Sequence, residues 1–259
     1  GKTIATASDD NTARLWTFNG QLLTEFKGHQ GYVRGVSFSP NGKTIATASA
    51  DNTARLWTLN GQLLTEFKGH QGSVLSVSFS PDGKTIVTAS ADNTARLWAL
   101  NGQLLTEFKG HQGYVWGVSF SLDGKTIATA SADNTARLWT LNGQLLTEFK
   151  GHQGYVRGVS FSPDGKTIAT ASADNTARLW TLNGQLLAEF KRHQSCVFSV
   201  SFSPDGKTIA TASSDNIARL WPVENLDQLL VRGCKWLHDY LQNNPNVSES
   251  DKRLYDDIK

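Results

Sequence analysis

Short segments in which apolar and polar residues alternate recur along the chain, and Gly, Asn, Asp and Pro separate them. Thr44–Ser49 is built from small and β-branched residues, and Thr53–Thr58 alternates apolar with polar positions. Gln62–Lys68 carries Leu and Phe, and Ser73–Ser80 carries Val and Phe. Each segment has the length and period of a β-strand, so the pattern predicts four short strands in this part of the chain.

The residues between these segments predict tight turns. Ala50-Asp51-Asn52 and Pro81-Asp82-Gly83 have the composition of β-turns. Asn60-Gly61 is typical of a two-residue β-hairpin, because both positions tolerate a positive φ. No segment in this part of the chain shows a helical period, so the expected structure is all-β.

The four-strand pattern repeats every 41 residues. The segment GKTIATAS, once with Val in place of its first Ala, begins at Gly1, Gly42, Gly83, Gly124, Gly165 and Gly206. Gly-His or Arg-His pairs and Leu-Trp pairs recur in the same register. A period of about 40–45 residues with these landmarks predicts the four-stranded blades of a β-propeller.

These landmarks resemble the WD-repeat β-propeller family over residues 1–222, and in particular the highly regular propellers of cyanobacterial proteins. The resemblance implies an all-β domain of about six four-stranded blades. The sequence offers 22 strands, two fewer than six complete blades contain, so we expect either an imperfect seam or a longer parent chain. The Asp that follows Trp in the family is replaced here by Thr17, Thr58, Ala99, Thr140, Thr181 and Pro222.

Residues 223–259 follow a different pattern and predict a short C-terminal α-helical tail. Apolar residues recur at three- and four-residue steps, as in an amphipathic helix, at Leu226, Leu229, Leu230, Cys234, Leu237 and Leu241. Pro245 ends this helix, and Ser248 is a candidate cap for a second helix through Ile258. The tail resembles the endings of cyanobacterial multidomain signalling ATPases in which a WD propeller follows a nucleotide-binding module. We expect its apolar stripe to dock on the propeller, with a partner-binding helix as the alternative.

Charge and composition narrow the classes of partner. The chain carries 25 basic and 23 acidic residues, a net charge of +2, which gives no long-range reason to expect nucleic acid or a membrane surface. Two cysteines are too few for a disulfide framework, and no apolar run approaches the length of a membrane span. We therefore expect a cytoplasmic protein that binds other proteins or peptides.

Each repeat also contains residues of the types found in hydrolase triads. The sets are His29/Ser49/Asp51/Trp57, His70/Ser90/Asp92/Trp98, His111/Ser131/Asp133/Trp139, His152/Ser172/Asp174/Trp180 and His193/Ser213/Asp215/Trp221. An enzyme places one such set in one site, whereas this set occurs five times, so we expect no catalytic activity, no metal and no cofactor. The family resemblance implies instead an internal hydrogen-bond chain from Asp through His and Ser to the Trp indole.

The differences between repeats point to a different kind of site. The repeats 42–82 and 124–164 differ at only three of 41 positions, all just after the Gly-His loop. When the repeats are aligned, each set of equivalent positions forms a column. The columns just after the Gly-His loop contain residue types that anchor protein interfaces. We predict a partner-binding face around the central channel formed by Tyr32, Arg34, Tyr114, Trp116, Tyr155, Arg157 and Phe198. The competing interpretation is that Leu75 and Phe198 are core residues between blades.

The predicted function is therefore that of a protein-interaction scaffold or ligand-sensing module. A structural propeller that self-assembles through the open seam or the C-terminal helix is the first alternative. An enzyme with a site in the channel is the second, and it requires an asymmetric set of acids, bases or metal ligands that does not stand out in this sequence.

Overall fold

The structure is a computed structural model that describes residues 2–223 and, beyond them, residues 233, 236, 237, 240, 243 and 248. The chain divides into two compact units, Gly1–Trp221 and Pro222–Lys259. The first unit contains 22 strands, the number expected from the sequence.

The strands form six antiparallel sheets in sequence order, which we call blades 1 to 6. Blade 1 holds β1 (Thr3–Ala7), β2 (Ala13–Thr17) and β3 (Leu22–Phe26). Blade 2 holds β4 (Val33–Phe38), β5 (Thr44–Ser49), β6 (Ala54–Thr58) and β7 (Leu63–Phe67). Blade 3 holds β8 (Val74–Phe79), β9 (Thr85–Ser90), β10 (Ala95–Ala99) and β11 (Leu104–Phe108). Blade 4 holds β12 (Val115–Phe120), β13 (Thr126–Ser131), β14 (Ala136–Thr140) and β15 (Leu145–Phe149). Blade 5 holds β16 (Val156–Phe161), β17 (Thr167–Ser172), β18 (Ala177–Thr181) and β19 (Leu186–Phe190). Blade 6 holds β20 (Val197–Phe202), β21 (Thr208–Ser213) and β22 (Ala218–Pro222).

The first strand of each complete blade is the innermost one. β4 packs against β8, β8 against β12, β12 against β16, and β16 against β20. Because every blade has the same strand order, all these innermost strands begin at the same end of the propeller. The turn that carries the Asp of each repeat lies at that end too, since the Ala50 N–H donates to the Tyr32 carbonyl at 2.8 Å.

The loop at Asn60-Gly61 differs from the expected two-residue hairpin. Only Gly61 has a positive φ, 90°, and its N–H donates to the Thr58 carbonyl at 3.1 Å. The Thr58 N–H then bonds to the Gln62 carbonyl at 2.9 Å, and a bulge interrupts the ladder between Leu56 and Trp57. The loop is therefore a three-residue connection with glycine in the left-handed position, the next most common hairpin type.

The hydrophobic core lies between successive blades. One blade contributes small residues with Leu and Phe, such as Ala46, Leu56 and Phe67, and the next contributes larger residues, such as Ile86 and Trp98. The same two sets of columns meet between blades 1 and 2, 3 and 4, and 4 and 5. Each blade therefore buries both of its faces only when it has a neighbour on both sides.

The two end blades lack one neighbour each, and their core columns show it. Ile4 of blade 1 is 44% exposed, whereas its counterpart Ile45 in blade 2 is fully buried. Leu220 of blade 6 is 75% exposed, whereas Leu56 is 4% exposed. Among the described residues, blade 1 has no innermost strand and blade 6 has no outermost strand, so both end blades have three strands.

The predicted tail helices lie largely outside the described residues. Gly233, Trp236, Leu237, Tyr240 and Asn243 have helical geometry, and the Trp236 and Tyr240 rings stack with centroids 5.6 Å apart. The second predicted helix, from Ser248 through Ile258, falls on residues that the structure does not describe, apart from Ser248 itself. In the described part of the chain, no helix is long and apolar enough to span a membrane.

Candidate functional site

A buried hydrogen-bond chain runs through each of blades 2 to 6. In blade 2 the His29 Nδ1 lies 2.7 Å from Asp51 Oδ2, and the His29 Nε2 lies 2.7 Å from Thr47 Oγ1. The Trp57 indole N–H donates to the same Thr47 hydroxyl at 2.9 Å. The matching threonines in the later blades are Thr88, Thr129, Thr170 and Thr211.

The chemistry of the donors and acceptors determines which atom donates each hydrogen bond in this series. The ionised Asp51 carboxylate can only accept, so the His29 Nδ1 carries the ring proton and donates it to Asp51. In the neutral ring the His29 Nε2 is then an acceptor and receives the Thr47 hydroxyl proton, while the Thr47 oxygen accepts from the Trp57 indole N–H. Every polar group in the chain has a partner, which removes the cost of burying it.

The sequence prediction that Ser links His to Trp is wrong. The Ser49 hydroxyl donates to the Gly31 carbonyl at 2.8 Å and accepts from the Asp51 N–H at 3.1 Å. Ser49 and Thr47 point to the same side of β5, but Ser49 is the last strand residue and lies beside the turn. Only Thr47 reaches the level of the indole.

The geometry also explains why the repeated Ser, His and Asp do not form a triad. A triad needs the serine hydroxyl bonded to the histidine, and here the threonine occupies the histidine Nε2. The serine hydroxyl is committed to a backbone carbonyl in each of blades 2 to 6. Among the described residues, no group of three or more His, Cys, Asp or Glu side chains could hold a metal ion.

The Asp carboxylate at one end of each hydrogen-bond chain is held in its ionised form. Burial disfavours the charged Asp51 carboxylate, but hydrogen bonds from Thr53, the Gln30 N–H and His29 outweigh it and lower the pKa of Asp51 to about 2. The pKa values of Asp92, Asp133, Asp174 and Asp215 are also lowered in this way. Burial lowers the pKa of His29 even though Asp51 opposes it, so His29 is neutral at neutral pH.

The predicted binding residues lie at or just before the start of the innermost strands. We call this set the variable face, and it consists of Tyr32, Arg34, Tyr114, Trp116, Tyr155, Arg157 and Phe198. Its three tyrosines and Phe198 are each about half exposed, between 47% and 51%. Phe198 is therefore not a core residue, and Leu75 in the matching column of blade 3 is only half-buried.

Four of these side chains form one contiguous cluster across blades 4, 5 and 6. The Arg157 guanidinium stacks 3.9 Å from the centroid of the Trp116 ring and 5.9 Å from that of Phe198. Tyr114 packs edge-on against Trp116, with centroids 6.1 Å apart. The sequence pattern gave these residues as separate columns, and the structure brings them together.

Arg34 belongs to a second, separate arrangement. Its guanidinium lies 4.9 Å from the Tyr32 ring centroid and makes a 3.0 Å ion pair with Asp9 of blade 1. Asp9 occupies a position that is Ala50, Ala91, Ala132 and Ala173 in the next four repeats, and its contact with Arg34 was not expected from the sequence. Tyr155 is exposed and precedes Arg157 by two residues, and its carbonyl accepts the Ala173 N–H at 2.8 Å.

The opposite end of the propeller also holds a concave surface. A cavity of about 460 Å³ there is lined by the ends of the innermost strands and the turns that follow, including Phe79, Phe120, Phe161, Pro163 and Pro204. These columns repeat with little change, except that Leu122 replaces proline in blade 4. A uniform lining gives less basis for specific recognition than the variable face does.

The fold and the repeat landmarks agree with the comparisons to known proteins. The family described as WD domain, G-beta repeat, matches residues 1–17, 20–58, 61–99, 102–140, 143–181 and 184–222. Nuclear distribution protein PAC1 of Mycosarcoma maydis is 49% identical over 43 residues, which are 16% of this chain and 10% of that protein. Ribosome assembly protein 4 of Chaetomium thermophilum is 55% identical over 40 residues, 15% of this chain and 8% of that protein. The matched regions thus span a tenth or less of these relatives. Since the family match extends over most of the chain and every matched segment coincides with strands of the blades, this chain belongs to the WD domain, G-beta repeat family.

Proposed function

We propose that this chain is a protein-recognition scaffold whose variable face binds partner proteins or peptides. Proteins of this family commonly act as scaffolds for protein interactions. The observation that carries the proposal is the placement of the differences between repeats. Repeats 42–82 and 124–164 differ only at Ser73/Tyr155, Leu75/Arg157 and Ser76/Gly158, while exposed loops elsewhere in the two repeats are identical.

Folding alone gives no reason for changes to gather in this place. Apart from the buried Gly117, the residues of the variable columns are exposed or half-buried, whereas the columns that build the cores between blades hardly change. Recognition does give a reason, because different side chains at equivalent positions make an asymmetric surface on a symmetric scaffold. Tyr, Trp and Arg are the residue types that most often dominate binding energy.

The contacts within the face support this role. Arg157 is stacked between Trp116 and Phe198, so part of its side-chain entropy is already lost before a partner arrives. Exposed Tyr114 and Tyr155 offer amphipathic surface with few rotatable bonds. A preorganised cluster with exposed aromatic flanks is the arrangement expected of an interface anchor.

The wider setting is also part of the proposal. The regularity of the repeats and the tail sequence resemble cyanobacterial signalling proteins, which supports a place for this propeller as the sensing part of a cytoplasmic multidomain protein. Its partners would then be proteins or peptides rather than nucleic acid or membranes.

The test compares protein capture by the chain and by a double variant, Trp116→Ala with Arg157→Ala. Each truncated anchor typically costs about 2 kcal/mol or more, about 30-fold in affinity, so the double variant should lose its partners. Leu122→Pro is the matched control, because Leu122 is exposed at the opposite end and other blades carry proline in that column. Capture that is unchanged in the double variant, or lost in the control instead, contradicts the proposal.

Self-assembly is a second candidate, and the end blades are the observation that favours it. The exposed Leu220 side of blade 6 and the exposed Ile4 side of blade 1 carry the two sets of columns that meet inside every interior core. A second copy could therefore pack its blade 1 on blade 6 of the first. Sedimentation over a range of concentrations tests this: assembly should rise with concentration and disappear in Leu220→Glu, and a monomer throughout contradicts it.

A further inference from the structure

Two buried hydrogen-bond donors in the variable face have no acceptor among the described residues. They are the Trp116 Nε1 and the Arg157 Nε, and neither atom is accessible to solvent. The two side chains stack on each other, so both donors belong to one small site. Unpaired buried donors cost free energy that an acceptor from a ligand would recover. The residues as a whole are only half-buried, so a bound group could reach the donors after a modest side-chain rotation.

The charge of Arg157 is also uncompensated. Among the described residues, no Asp or Glu oxygen lies within 4.0 Å of its guanidinium, whereas Arg34 in the same column is paired with Asp9 at 3.0 Å. The position in blade 4 that corresponds to Asp9 in blade 1 is occupied by Ala132. Arg34 is therefore paired with a carboxylate of the protein itself, whereas Arg157 in the same column has no such partner among the described residues.

The surroundings indicate what kind of carboxylate fits. Phe198 flanks Arg157 on one side, and Tyr114 flanks Trp116 on the other, and both rings are about half exposed. Cys196 is also close to Arg157: burial raises the pKa of its thiol, and the positive charge of Arg157 opposes that rise. A peptide chain can continue over apolar surface in both directions from the arginine, which favours a side chain within a peptide over a terminal carboxylate.

We propose that Arg157, Trp116 and Phe198 form a site for the side-chain carboxylate of an Asp or Glu that is flanked by apolar residues in a bound peptide segment. The carboxylate takes at Arg157 the place that Asp9 takes at Arg34. This assignment rests on the proposed function of the variable face and adds the chemistry of the group that it recognises.

The test uses an array of short peptides with blocked ends, made in pairs that differ only by Asp or Asn between Leu and Phe neighbours. The intact chain should retain the Asp member about tenfold better, because charge-assisted hydrogen bonds exceed neutral ones. Arg157→Met should remove this preference by loss of the cation. Ala132→Asp should reduce it by supplying an internal carboxylate. Lys125→Met is the control and should leave the preference unchanged, since it removes an exposed cation from the turn that contains Leu122, at the opposite end of the propeller.

A second measurement is made on the intact chain, and a variant is needed only to assign one signal. The Trp116 indole N–H signal, identified from its loss in Trp116→Phe, should move downfield in the intact chain when a retained Asp peptide is added, and the Asn partner should not move it.

Equal retention of the Asp and Asn peptides overturns the proposal, as does a preference that survives in Arg157→Met. Retention only of peptides with a free C-terminus assigns the site to a terminal carboxylate and overturns the side-chain assignment. If the double variant Trp116→Ala with Arg157→Ala loses its captured partners but the array shows no acidic preference, the scaffold function stands and this further assignment fails. If the double variant captures the same partners as the intact chain, the proposed function itself is contradicted.

Discussion

Replacing Thr88 by Val is the most informative change to the hydrogen-bond chain. Val keeps the volume and the β-branched shape of Thr, so the change removes little except the hydroxyl. The Trp98 indole N–H and the His70 Nε2 both lose their partner, and the two residues are only 2% and 5% exposed. Water cannot replace the hydroxyl at this depth. With about 1–3 kcal/mol for each of these two unpaired buried groups, we expect Thr88→Val to destabilise the fold by about 2–6 kcal/mol.

The control at the same position is Thr88→Ser. Serine keeps the hydroxyl and loses one methyl group, which is worth about 1 kcal/mol. If packing alone mattered, Ser would be the more damaging change, so the order of the two variants separates hydrogen bonding from packing. Thr211→Val in blade 6 is a second control and should cost less, because Trp221 is only half-buried there.

Denaturant titration followed by tryptophan fluorescence and by circular dichroism measures all three variants. The reasoning is refuted if Thr88→Val costs no more than Thr88→Ser, or less than about 1 kcal/mol.

Three further predictions follow from the cores and the buried acids. Trp98→Ala should cost about 3–5 kcal/mol in the same titration, because it empties a fully packed site between blades 2 and 3; a cost below about 1 kcal/mol would contradict the packing. Leu56→Ala should cost about 2–4 kcal/mol, whereas Leu220→Ala in the same column should be nearly neutral because the side chain is 75% exposed; equal effects would show that the ends are covered. The folded state lowers the pKa of Asp51 from 3.8 to about 2, so its contribution to stability is complete above pH 3.8 and is lost as the pH falls toward 2. Asp51→Asn should therefore flatten the fall in melting temperature over this acidic range, and an unchanged pH profile would show that Asp51 does not contribute.

Much of the architecture was predictable because every repeat contains the same landmark residues at the same positions. The recurring Gly-His and Leu-Trp pairs, with turn residues at fixed intervals, defined every strand to within about one or two residues. The exposure of Ile4 and Leu220 does not follow from the strand count, because that count leaves open whether the two end blades contact each other.

The details that sequence reasoning missed depend on depth and on contacts between blades. Thr47 and Ser49 share a face of one strand, and only their distance from the turn decides which one reaches the Trp57 indole. The positive φ is confined to Gly61 of the Asn60-Gly61 pair because a bulge shifts the register next to Trp57. No local pattern encodes either result.

The candidate site was predictable as a set of columns but not as an assembled surface. Comparison of the repeats picked out Trp116 and Arg157 from their variation alone. The stacking of Arg157 on a residue of the preceding blade, and the pairing of Arg34 with Asp9, arise across blade boundaries. Such contacts need the relative positions of neighbouring blades, which the sequence of one repeat does not contain.

Site-specific photo-crosslinking tests the central claim, that the variable face recognises proteins, most directly. A photoreactive phenylalanine analogue replaces Tyr155, which is 50% exposed on this face, or Leu122, which is 63% exposed at the opposite end. Both proteins are irradiated in the presence of the cellular proteins, and the adducts are identified by mass spectrometry. The account predicts a small set of reproducible adducts at position 155 that excess unlabelled chain suppresses, and few at position 122. Adducts at position 122 with none at position 155 would place recognition at the other end of the propeller and contradict the account.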